Sequence, residues 1–286
     1  MSPVSIAQTI RRSVLCLQKA HIPEASLEAR LLLEHALERP RAWALAHPAT
    51  ILAEADEARL DVLVARRTRG EPMAYILGQR EFFGISYYVD SRVLIPRPET
   101  EVLVERVLDL ARHHTTPLRI VDVGTGSGAI ALTLAHHLPL AQVIAVDCSR
   151  DALNVAISNA HQLGLEDRVS FVQGDLLTWL SGSANIIVAN LPYIPTDRMD
   201  SLPQDVREHE PHGALDGGPG GLTLNLRLIQ QASSRLMPGD HLLAECEPDQ
   251  ISRLAEAARS VMPGSAIESI SDGYNHARFI HIKVPT

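Results

Sequence analysis

The sequence predicts an α/β protein, with a doubly wound, mostly parallel seven-stranded sheet that follows a small N-terminal helical domain. Two patterns lead to this prediction. Apolar residues recur at helical spacing over residues 1–72, and short apolar strands alternate with helices from about residue 99 onward. The chain has 286 residues, of which 45% are hydrophobic, so it can bury one large core and a smaller second one.

Three apolar stripes define the helical domain over residues 1–72. They cover residues 6–17, 29–37 and 60–64, each at the spacing of one helix face. The third stripe runs into a basic segment, residues 66–69, before Gly70. We interpret that segment as a helix C-terminus, where the helix dipole favours cations, and not as a nucleic-acid site.

Residues 73–98 are predicted to form a β-hairpin and linker. They hold aromatic, β-prone stretches at 75–77, 81–84 and 87–89, with glycines at positions 78 and 84. The aromatic side chains, Phe82 and Phe83 among them, either pack the hairpin or line a substrate cleft, and the sequence leaves both interpretations open.

The remaining chain, residues 99–286, alternates strands and helices and is predicted to form the catalytic domain. Strands are expected at 118–123, 142–146, 169–172, 185–189 and 241–245, and helices at 129–136, 150–163, 222–236 and 251–261. A hairpin of strands 267–270 and 278–282 closes the chain. Such alternation is typical of a doubly wound sheet, which binds ligands at the carboxyl ends of its strands.

A glycine-rich loop follows the first strand of this sheet. It begins after Asp122 and contains the candidate cofactor-binding residues Gly124, Thr125, Gly126, Ser127 and Gly128. Alternate glycines let the backbone turn sharply and approach a ligand. Asp147 ends the next strand, where a carboxylate can accept hydrogen bonds from ribose hydroxyls.

Two acidic residues favour S-adenosylmethionine over a nicotinamide cofactor at this loop. Asp122 suits a cationic amino-acid group and not a pyrophosphate, and Asp175, followed by Leu176, ends the third strand where an adenine amino group needs an acceptor. A loose G-x-G-x-x-A over residues 126–131 keeps the nicotinamide alternative open. A helix N-cap is the alternative role for Asp175.

The fourth strand ends at Asn190, Leu191, Pro192 and Tyr193, which we predict to be the catalytic and substrate-binding motif. Asn190 is also a candidate cofactor-binding residue, because it lies beside the glycine loop. A planar nitrogen is a weak nucleophile because its lone pair is delocalised. The Asn190 side-chain oxygen can accept one N–H of such a group and the Leu191 carbonyl the other, which points the lone pair at the methyl donor. Pro192 biases Leu191 toward an extended backbone, and the Tyr193 ring can stack on the planar group.

These residues together resemble the class I methyltransferases, with their Rossmann-like fold, that modify amide or amino nitrogens. The whole chain is similar to one branch, the bacterial release-factor glutamine methyltransferases of the HemK type. The similarity extends over residues 71–78, 93–101, 210–211 and 214–218, and over Glu245, Gln250, Asp272, Gly273 and Arg278. The Pro-Arg-Pro-Glu-Thr-Glu block at 96–101 is its most specific part, because generic methyltransferases lack it.

The resemblance implies methyl transfer from S-adenosylmethionine, with S-adenosylhomocysteine as product, to the side-chain amide nitrogen (N5) of the glutamine in the Gly-Gly-Gln motif of peptide-chain release factors. It also implies that the helical domain helps to hold this protein partner, and Arg97 is a candidate substrate contact. Two positions depart from the family. Proline is usual where this chain has Leu191, and an aromatic residue is common where it has Leu176.

Other functions share parts of this motif. A sister enzyme that methylates a ribosomal-protein glutamine has the same target group, but the 96–101 block and the helical N-terminus favour release factors. Adenine-N6 methylation of DNA, a nicotinamide-dependent oxidoreductase and a non-catalytic binding module are further alternatives. The formal net charge of −8 argues against a nucleic-acid substrate, and the intact Asn190 and Tyr193 argue against a non-catalytic module.

Composition adds expectations about metals, membranes and location. The three cysteines, Cys16, Cys148 and Cys246, are widely spaced, so we expect neither a disulfide framework nor a metal site. No apolar run approaches the ~20 residues that span a bilayer, and the N-terminus does not resemble a signal peptide. We therefore expect a cytoplasmic protein with no membrane partner.

Overall fold

A computed structural model describes residues 4–112, 114 and 116–286 of the chain. The first three residues of the predicted helical domain lie outside these ranges. Helices and strands are numbered here in chain order. The helices are α1 (Ile6–Lys19), α2 (Ala25–Leu37), α3 (Arg41–Ala46), α4 (Glu54–Thr68), α5 (Met73–Leu77), α6 (Glu101–Ala111), α7 (Ala129–His137), α8 (Arg150–Leu163), α9 (Gln204–His209), α10 (Thr223–Ala232) and α11 (Ile251–Val261). The strands are β1 (Gln79–Phe82), β2 (Ile85–Tyr88), β3 (Arg119–Val123), β4 (Gln142–Asp147), β5 (Val169–Gln173), β6 (Ile186–Ala189), β7 (His241–Glu245), β8 (Ala266–Ser271) and β9 (Ala277–Lys283).

The chain divides into two compact units. One comprises Met1–Gly78 with Pro203–His209, and the other comprises Gln79–Leu202 with Glu210–Thr286. The substrate-recognition role expected for residues 1–72, and the expected boundaries at 72/73 and 98/99, stay predictions.

The helical unit confirms the three apolar stripes, which fall in α1, α2 and α4. Ser5 begins α1 with a capping box, in which its hydroxyl accepts from the backbone N–H of Gln8 and its own N–H donates to the Gln8 side chain. The basic segment ends α4 as predicted. Arg66 pairs with Glu71, and Arg67 pairs with Glu28, so both guanidinium groups have partners within this unit.

The predicted hairpin is shorter than expected, and its first stretch is helical. Residues 75–77 belong to α5, so their assignment to a strand was wrong. Pro72 precedes the first turn of α5, and Gly78 ends it in a left-handed conformation, which are the usual signals for a helix start and stop. The hairpin itself pairs β1 with β2. Phe83 and Gly84 join the strands, both with positive φ, as a two-residue turn between twisted strands requires.

The seven-stranded sheet is confirmed, with strand order β5-β4-β3-β6-β7-β9-β8. The first five strands of this order are parallel, and β9 runs antiparallel to both β7 and β8. The chain winds outward in one direction from β3 and in the other from β6. Ligands of doubly wound sheets bind at this switch point, outside the carboxyl ends of the two central strands.

Both faces of the central strands are covered, which explains their continuous apolar sequences. In β6, Ile187 and Ala189 pack into the cluster on one face, while Ile186 and Val188 pack into the cluster on the other. All four are fully buried. Because β6 is held on both faces, the residue that follows it has a fixed position at the sheet edge. Among the helices of the described ranges, none is long and apolar enough to cross a membrane.

Candidate active site

A cleft of about 300 Å³ opens at the carboxyl ends of the central strands. Its walls bring together four segments that the sequence places apart, namely residues 123–127, 146–149, 174–176 and 190–192. The 3₁₀ turn Pro98–Thr100 and the segment before it close one side with Pro96, Arg97 and Thr100. Most of the predicted cofactor and catalytic residues therefore meet at one site.

Asp122 fixes the conformation of the glycine loop through two hydrogen bonds. Its Oδ2 accepts hydrogen bonds from the Thr125 hydroxyl at 2.6 Å and from the Ala131 backbone N–H at 3.1 Å. The side chain is fully buried, and burial raises the pKa of Asp122 to about 7. Asp122 does not line the cleft. Its Oδ1 is buried and has no hydrogen-bond partner among the described residues, and a direct contact of Asp122 with the cofactor stays a prediction.

Gly128 ends the loop and lets α7 start close to α8. A Cβ on Gly128 would lie 3.1 Å from the Ala156 Cβ and 3.0 Å from the Leu132 Cδ1, and the φ of +83° also favours glycine. Gly128 does not line the cleft, unlike the predicted loop residues Gly124, Thr125, Gly126 and Ser127. Its observed role is therefore to permit close helix packing.

Asp147 ends β4 with its carboxylate at the cleft wall. Its Oδ2 accepts from the Gly126 backbone N–H at 3.0 Å, and its Oδ1 accepts from the Ser149 backbone N–H at 2.9 Å. Burial raises the pKa of this carboxyl, while the two backbone donors oppose the shift. A carboxylate has about four acceptor positions, so Asp147 retains capacity for the hydroxyls of a ligand.

Asp175 and Leu176 follow β5 and line the cleft, as the sequence predicted. Asp175 is exposed and pairs with Arg227. Leu176 is buried and has a left-handed backbone, with φ of +51°. The two residues thus present one carboxylate and one aliphatic surface to the same end of the cleft.

The segment after β6 is tied to two other elements by a chain of hydrogen bonds. The Asn190 Nδ2 donates to the Thr100 hydroxyl at 3.1 Å, and that hydroxyl donates to the Glu245 Oε2 at 2.8 Å. The Tyr193 hydroxyl donates to the other Glu245 oxygen at 2.9 Å. Glu245 is only 2% exposed, and burial raises its pKa to about 7. Burial, followed by the charge of Glu245, also raises the pKa of Tyr193.

This arrangement leaves two acceptors at the cleft. In the described part of the chain, neither the Asn190 Oδ1 nor the Leu191 carbonyl has a hydrogen-bond partner. Asn190, Leu191 and Pro192 line the cleft, whereas the Tyr193 ring does not. Stacking of Tyr193 on a substrate stays a prediction, and the contact that the structure gives its side chain is the hydrogen bond to Glu245.

Leu191, where the resembling family usually has proline, faces away from solvent. It is 5% exposed, and a Cβ added to Gly124 would lie 2.8 Å from its Cδ2. The leucine side chain therefore covers the start of the glycine loop. Its backbone carbonyl is the same chemical group that a proline at this position would provide.

Arg97 also lines the cleft, and its guanidinium is anchored by a buried carboxylate. Its Nη2 donates to the Glu210 Oε1 at 2.5 Å, while the second Glu210 oxygen accepts from the Ile95 backbone N–H at 3.1 Å. Phe82 lines the cleft as well, but Phe83 instead contacts the His137 ring edge to face. Phe82 is only 1% exposed and packs in the core beside Tyr87, so the contacts observed for both hairpin phenylalanines are packing contacts.

The segment after β6 is held by Thr100, Glu245 and Gln250, to which the sequence assigned no role. Gln250 Nε2 donates to the Tyr193 carbonyl at 2.7 Å and to the Gly220 carbonyl at 3.0 Å. One signal was available, because Glu245 is a carboxylate that ends an otherwise apolar strand at the ligand-binding edge of the sheet. Within the described residues, no group of His, Cys, Asp and Glu could hold a metal ion.

Comparison with known protein families identifies both parts of the chain. Residues 8–78 match the model for the PrmC N-terminal domain, and residues 114–260 match the model for a methyltransferase domain.

Curated relatives cover most of the chain. A release factor glutamine methyltransferase from Bradyrhizobium diazoefficiens is 44% identical over 86% of this chain and 84% of its own length. A second, from Moorella thermoacetica, is 43% identical over 90% of this chain and 91% of its own length.

A solved structure shows the fold. A methyltransferase from Pyrococcus furiosus aligns with a TM-score of 0.53 at 16% identity, covering 78% of this chain and 98% of the other. The predicted class I methyltransferase fold is confirmed.

Proposed function

Because this chain belongs to the release factor glutamine methyltransferase family, we propose that it methylates the side-chain amide nitrogen (N5) of the glutamine in the Gly-Gly-Gln motif of peptide-chain release factors. The observation that supports this substrate is the pair of acceptors, the Asn190 Oδ1 and the Leu191 carbonyl, at the cleft edge after β6. A primary amide carries two N–H donors on one planar nitrogen, which such a pair can accept together.

The cleft residues fit S-adenosylmethionine as the methyl donor. Asp147 offers spare acceptor capacity for ribose hydroxyls, and the orphaned Asp122 Oδ1 suits a cationic group. Asp175 and Leu176 supply an acceptor and an apolar surface for adenine. When bound, S-adenosylmethionine supplies a methyl group on a positively charged sulfur, which is the electrophile for a weakly nucleophilic nitrogen.

The residues of the chain contribute mainly by positioning the amide. If the Asn190 Oδ1 and the Leu191 carbonyl accept its two N–H groups, the plane of the amide is fixed and the face of its nitrogen is directed along the cleft. Fixing a reactant in this way supplies a large part of many rate enhancements. The acceptors also stabilise the partial positive charge that develops on the nitrogen as the N–C bond forms.

Arg97 is the candidate contact for the peptide around the glutamine. The Arg97 guanidinium has five N–H donors and uses Nη2 on Glu210, so others remain for backbone carbonyls of a substrate loop. The two residues before the glutamine are glycines without side chains, which suits a cleft lined on this side by Pro96 and Arg97.

The test uses the purified chain with methyl-labelled S-adenosylmethionine and three acceptors: a wild-type release factor, its Gly-Gly-Ala variant and a mixture of ribosomal proteins. We expect label on the wild-type release factor alone, and peptide mapping should place it on the glutamine of the Gly-Gly-Gln motif. Label on both release-factor forms, or on neither, would overturn the proposed substrate. Label on a ribosomal protein alone would establish the sister activity instead.

A further inference from the structure

We propose that Thr100 and Glu245 are positioning residues that orient the Asn190 amide, so that its oxygen and not its nitrogen faces the substrate. This inference rests on the proposed function, because the direction of the amide matters only if Asn190 accepts an N–H from the substrate. Its basis is the buried hydrogen-bond chain from Asn190 through Thr100 to Glu245.

The direction of each hydrogen bond in this chain follows from the number of protons available. In its ionised form the Glu245 carboxylate can only accept, and its two oxygens receive the hydroxyl protons of Thr100 and Tyr193. A hydroxyl has a single proton, so the Thr100 oxygen can offer only lone pairs to Asn190. The Asn190 group that faces it must therefore be the Nδ2 donor, which leaves Oδ1 for the cleft.

Burial makes this orientation costly to reverse. Thr100 is 4% exposed and Glu245 2% exposed, so water does not replace the partners that a flipped amide would lose. A flip would set the Asn190 oxygen against the Thr100 oxygen with no proton between them, and it would leave a buried polar group unsatisfied. Asn190 is half-buried and gains its fixed direction from these two more deeply buried residues.

The fold brings these residues together through the sheet. Strand β6 pairs in parallel with β7, and Ala189 is opposite Ala244. The next residues, Asn190 just after β6 and Glu245 at the end of β7, therefore lie side by side at the edge of the sheet. Thr100 reaches them from the end of the 3₁₀ turn Pro98–Thr100, immediately before α6. The threonine thus lies at a junction between the turn, β6 and β7.

The experiment compares Thr100→Val, which removes the hydroxyl while nearly conserving shape, with Thr100→Ser, which restores it. Thr133→Val is the matched control, because Thr133 is also a buried threonine whose hydroxyl has a side-chain partner, Tyr87, yet lies outside the cleft. We expect Thr100→Val to lower kcat on the release factor about 100-fold. KM for S-adenosylmethionine should stay within about threefold, Thr100→Ser should recover most of kcat, and Thr133→Val should retain it.

A second variant, Glu245→Gln, tests whether Glu245 sets the donor-to-acceptor direction of these hydrogen bonds. Glutamine replaces one acceptor by a donor, so either Thr100 or Tyr193 must accept where it donated. We expect kcat to fall by at least tenfold while the variant remains folded by circular dichroism. Wild-type kcat in this variant would overturn the inferred role of Glu245.

A readout independent of activity follows the Asn190 side-chain amide by NMR. Its signals are identified by their loss in Asn190→Ala, and their hydrogen exchange reports the bond to Thr100. We expect exchange at least tenfold faster in Thr100→Val than in the wild type, in Thr100→Ser and in Thr133→Val.

The two proposals fail in different ways. If the wild type methylates the release factor but Thr100→Val keeps its kcat, the positioning role is overturned and the proposed function stands. If Thr133→Val loses as much kcat as Thr100→Val, the loss reflects general disruption and the positioning role is again overturned. If the wild type does not methylate the release factor, the proposed function fails, and the exchange rates alone decide the orientation of Asn190.

Discussion

The Asn190 amide nitrogen donates a hydrogen bond to the Thr100 hydroxyl at 3.1 Å, although 90 residues separate them in sequence. One residue follows a central strand of the sheet, and the other ends a turn of the segment that precedes α6. The bond therefore joins the proposed catalytic motif to the Pro-Arg-Pro-Glu-Thr-Glu block at 96–101. It gives that block a physical connection to the site of methyl transfer.

Replacing Asn190 separates catalysis from cofactor binding. In Asn190→Ala, the acceptor for one substrate N–H is lost, and we expect kcat to fall by at least about 100-fold. The affinity for S-adenosylmethionine should change by less than about threefold, since Asp147 and the glycine loop are untouched. Single-turnover kinetics and calorimetry measure the two quantities. Asn154→Ala, an exposed position on α8, is the control and should behave as wild type. Near-wild-type turnover of Asn190→Ala would exclude the proposed role.

Replacing Asp147 should, in contrast, weaken the binding of S-adenosylmethionine. Its carboxylate accepts from Gly126 and Ser149, so Asp147→Ala removes a candidate ribose acceptor and also loosens the glycine loop. Hydrogen bonds to charged groups contribute about 1.5–3 kcal/mol, which corresponds to roughly 10- to 100-fold weaker binding of S-adenosylmethionine. Calorimetry with the exposed Asp151→Ala as control measures the difference. Equal affinities in the two variants would show that Asp147 does not hold the cofactor.

Much of the fold was predictable because its signals are local. The buried strands β3 and β6 read as apolar runs, and the glycine loop and the Asn190 motif follow them directly in sequence. The error at residues 75–77 has a local cause as well. Aromatic and β-branched residues suggested a strand, but Pro72 and Gly78 define a single turn of helix.

The parts of the site that sequence reasoning missed depend on contacts between distant segments. Glu245 is one charged residue at a strand end, and only the pairing of β6 with β7 shows that it lies beside Asn190. No sequence pattern marks Thr100 as a functional residue. Its role comes from the two hydrogen-bond partners of its hydroxyl, Asn190 and Glu245. Single-sequence patterns do not specify such pairings, since they depend on strand order and register.

Glu245 should make stability depend on pH. Burial raises its pKa from about 4.5 to about 7, and the hydrogen bonds from Thr100 and Tyr193 oppose the shift. The folded state therefore binds this proton more tightly than the unfolded state, so stability falls as the pH rises between these values. Its contribution to that fall is about 3 kcal/mol.

Denaturant unfolding of the wild type and Glu245→Gln at pH 5 and pH 8 isolates this contribution, because the shift at Asp122 is common to both proteins. We expect Glu245→Gln to gain stability relative to the wild type as the pH rises. The exposed Glu256→Gln should follow the wild-type curve. Parallel curves for Glu245→Gln and the wild type would contradict the predicted linkage.

Two glycines with similar φ angles should respond differently to substitution by alanine. Gly164 ends α8 with φ of +65°, and a Cβ there would meet nothing within 4 Å. Gly221 has φ of +70°, but a Cβ there would lie 1.9 Å from the Tyr193 carbonyl oxygen and 2.3 Å from the Gln250 Nε2. The conformational cost of a left-handed alanine, about 1 kcal/mol, is common to both positions, so the difference between them reports the collision.

The collision at Gly221 falls on the backbone of the catalytic motif. The Tyr193 carbonyl can move away only by breaking its bond from Gln250 and displacing the segment that begins at Asn190. We therefore expect Gly164→Ala to lose about 1 kcal/mol of stability with unchanged kcat, and Gly221→Ala to lose more stability and at least tenfold in kcat. Chemical denaturation and steady-state kinetics on the same preparations test both. Equal stability and equal kcat in the two variants would mean that the loop around Gly221 can shift without moving the Asn190 oxygen and the Leu191 carbonyl. The inferred rigidity of the segment after β6 would then be wrong.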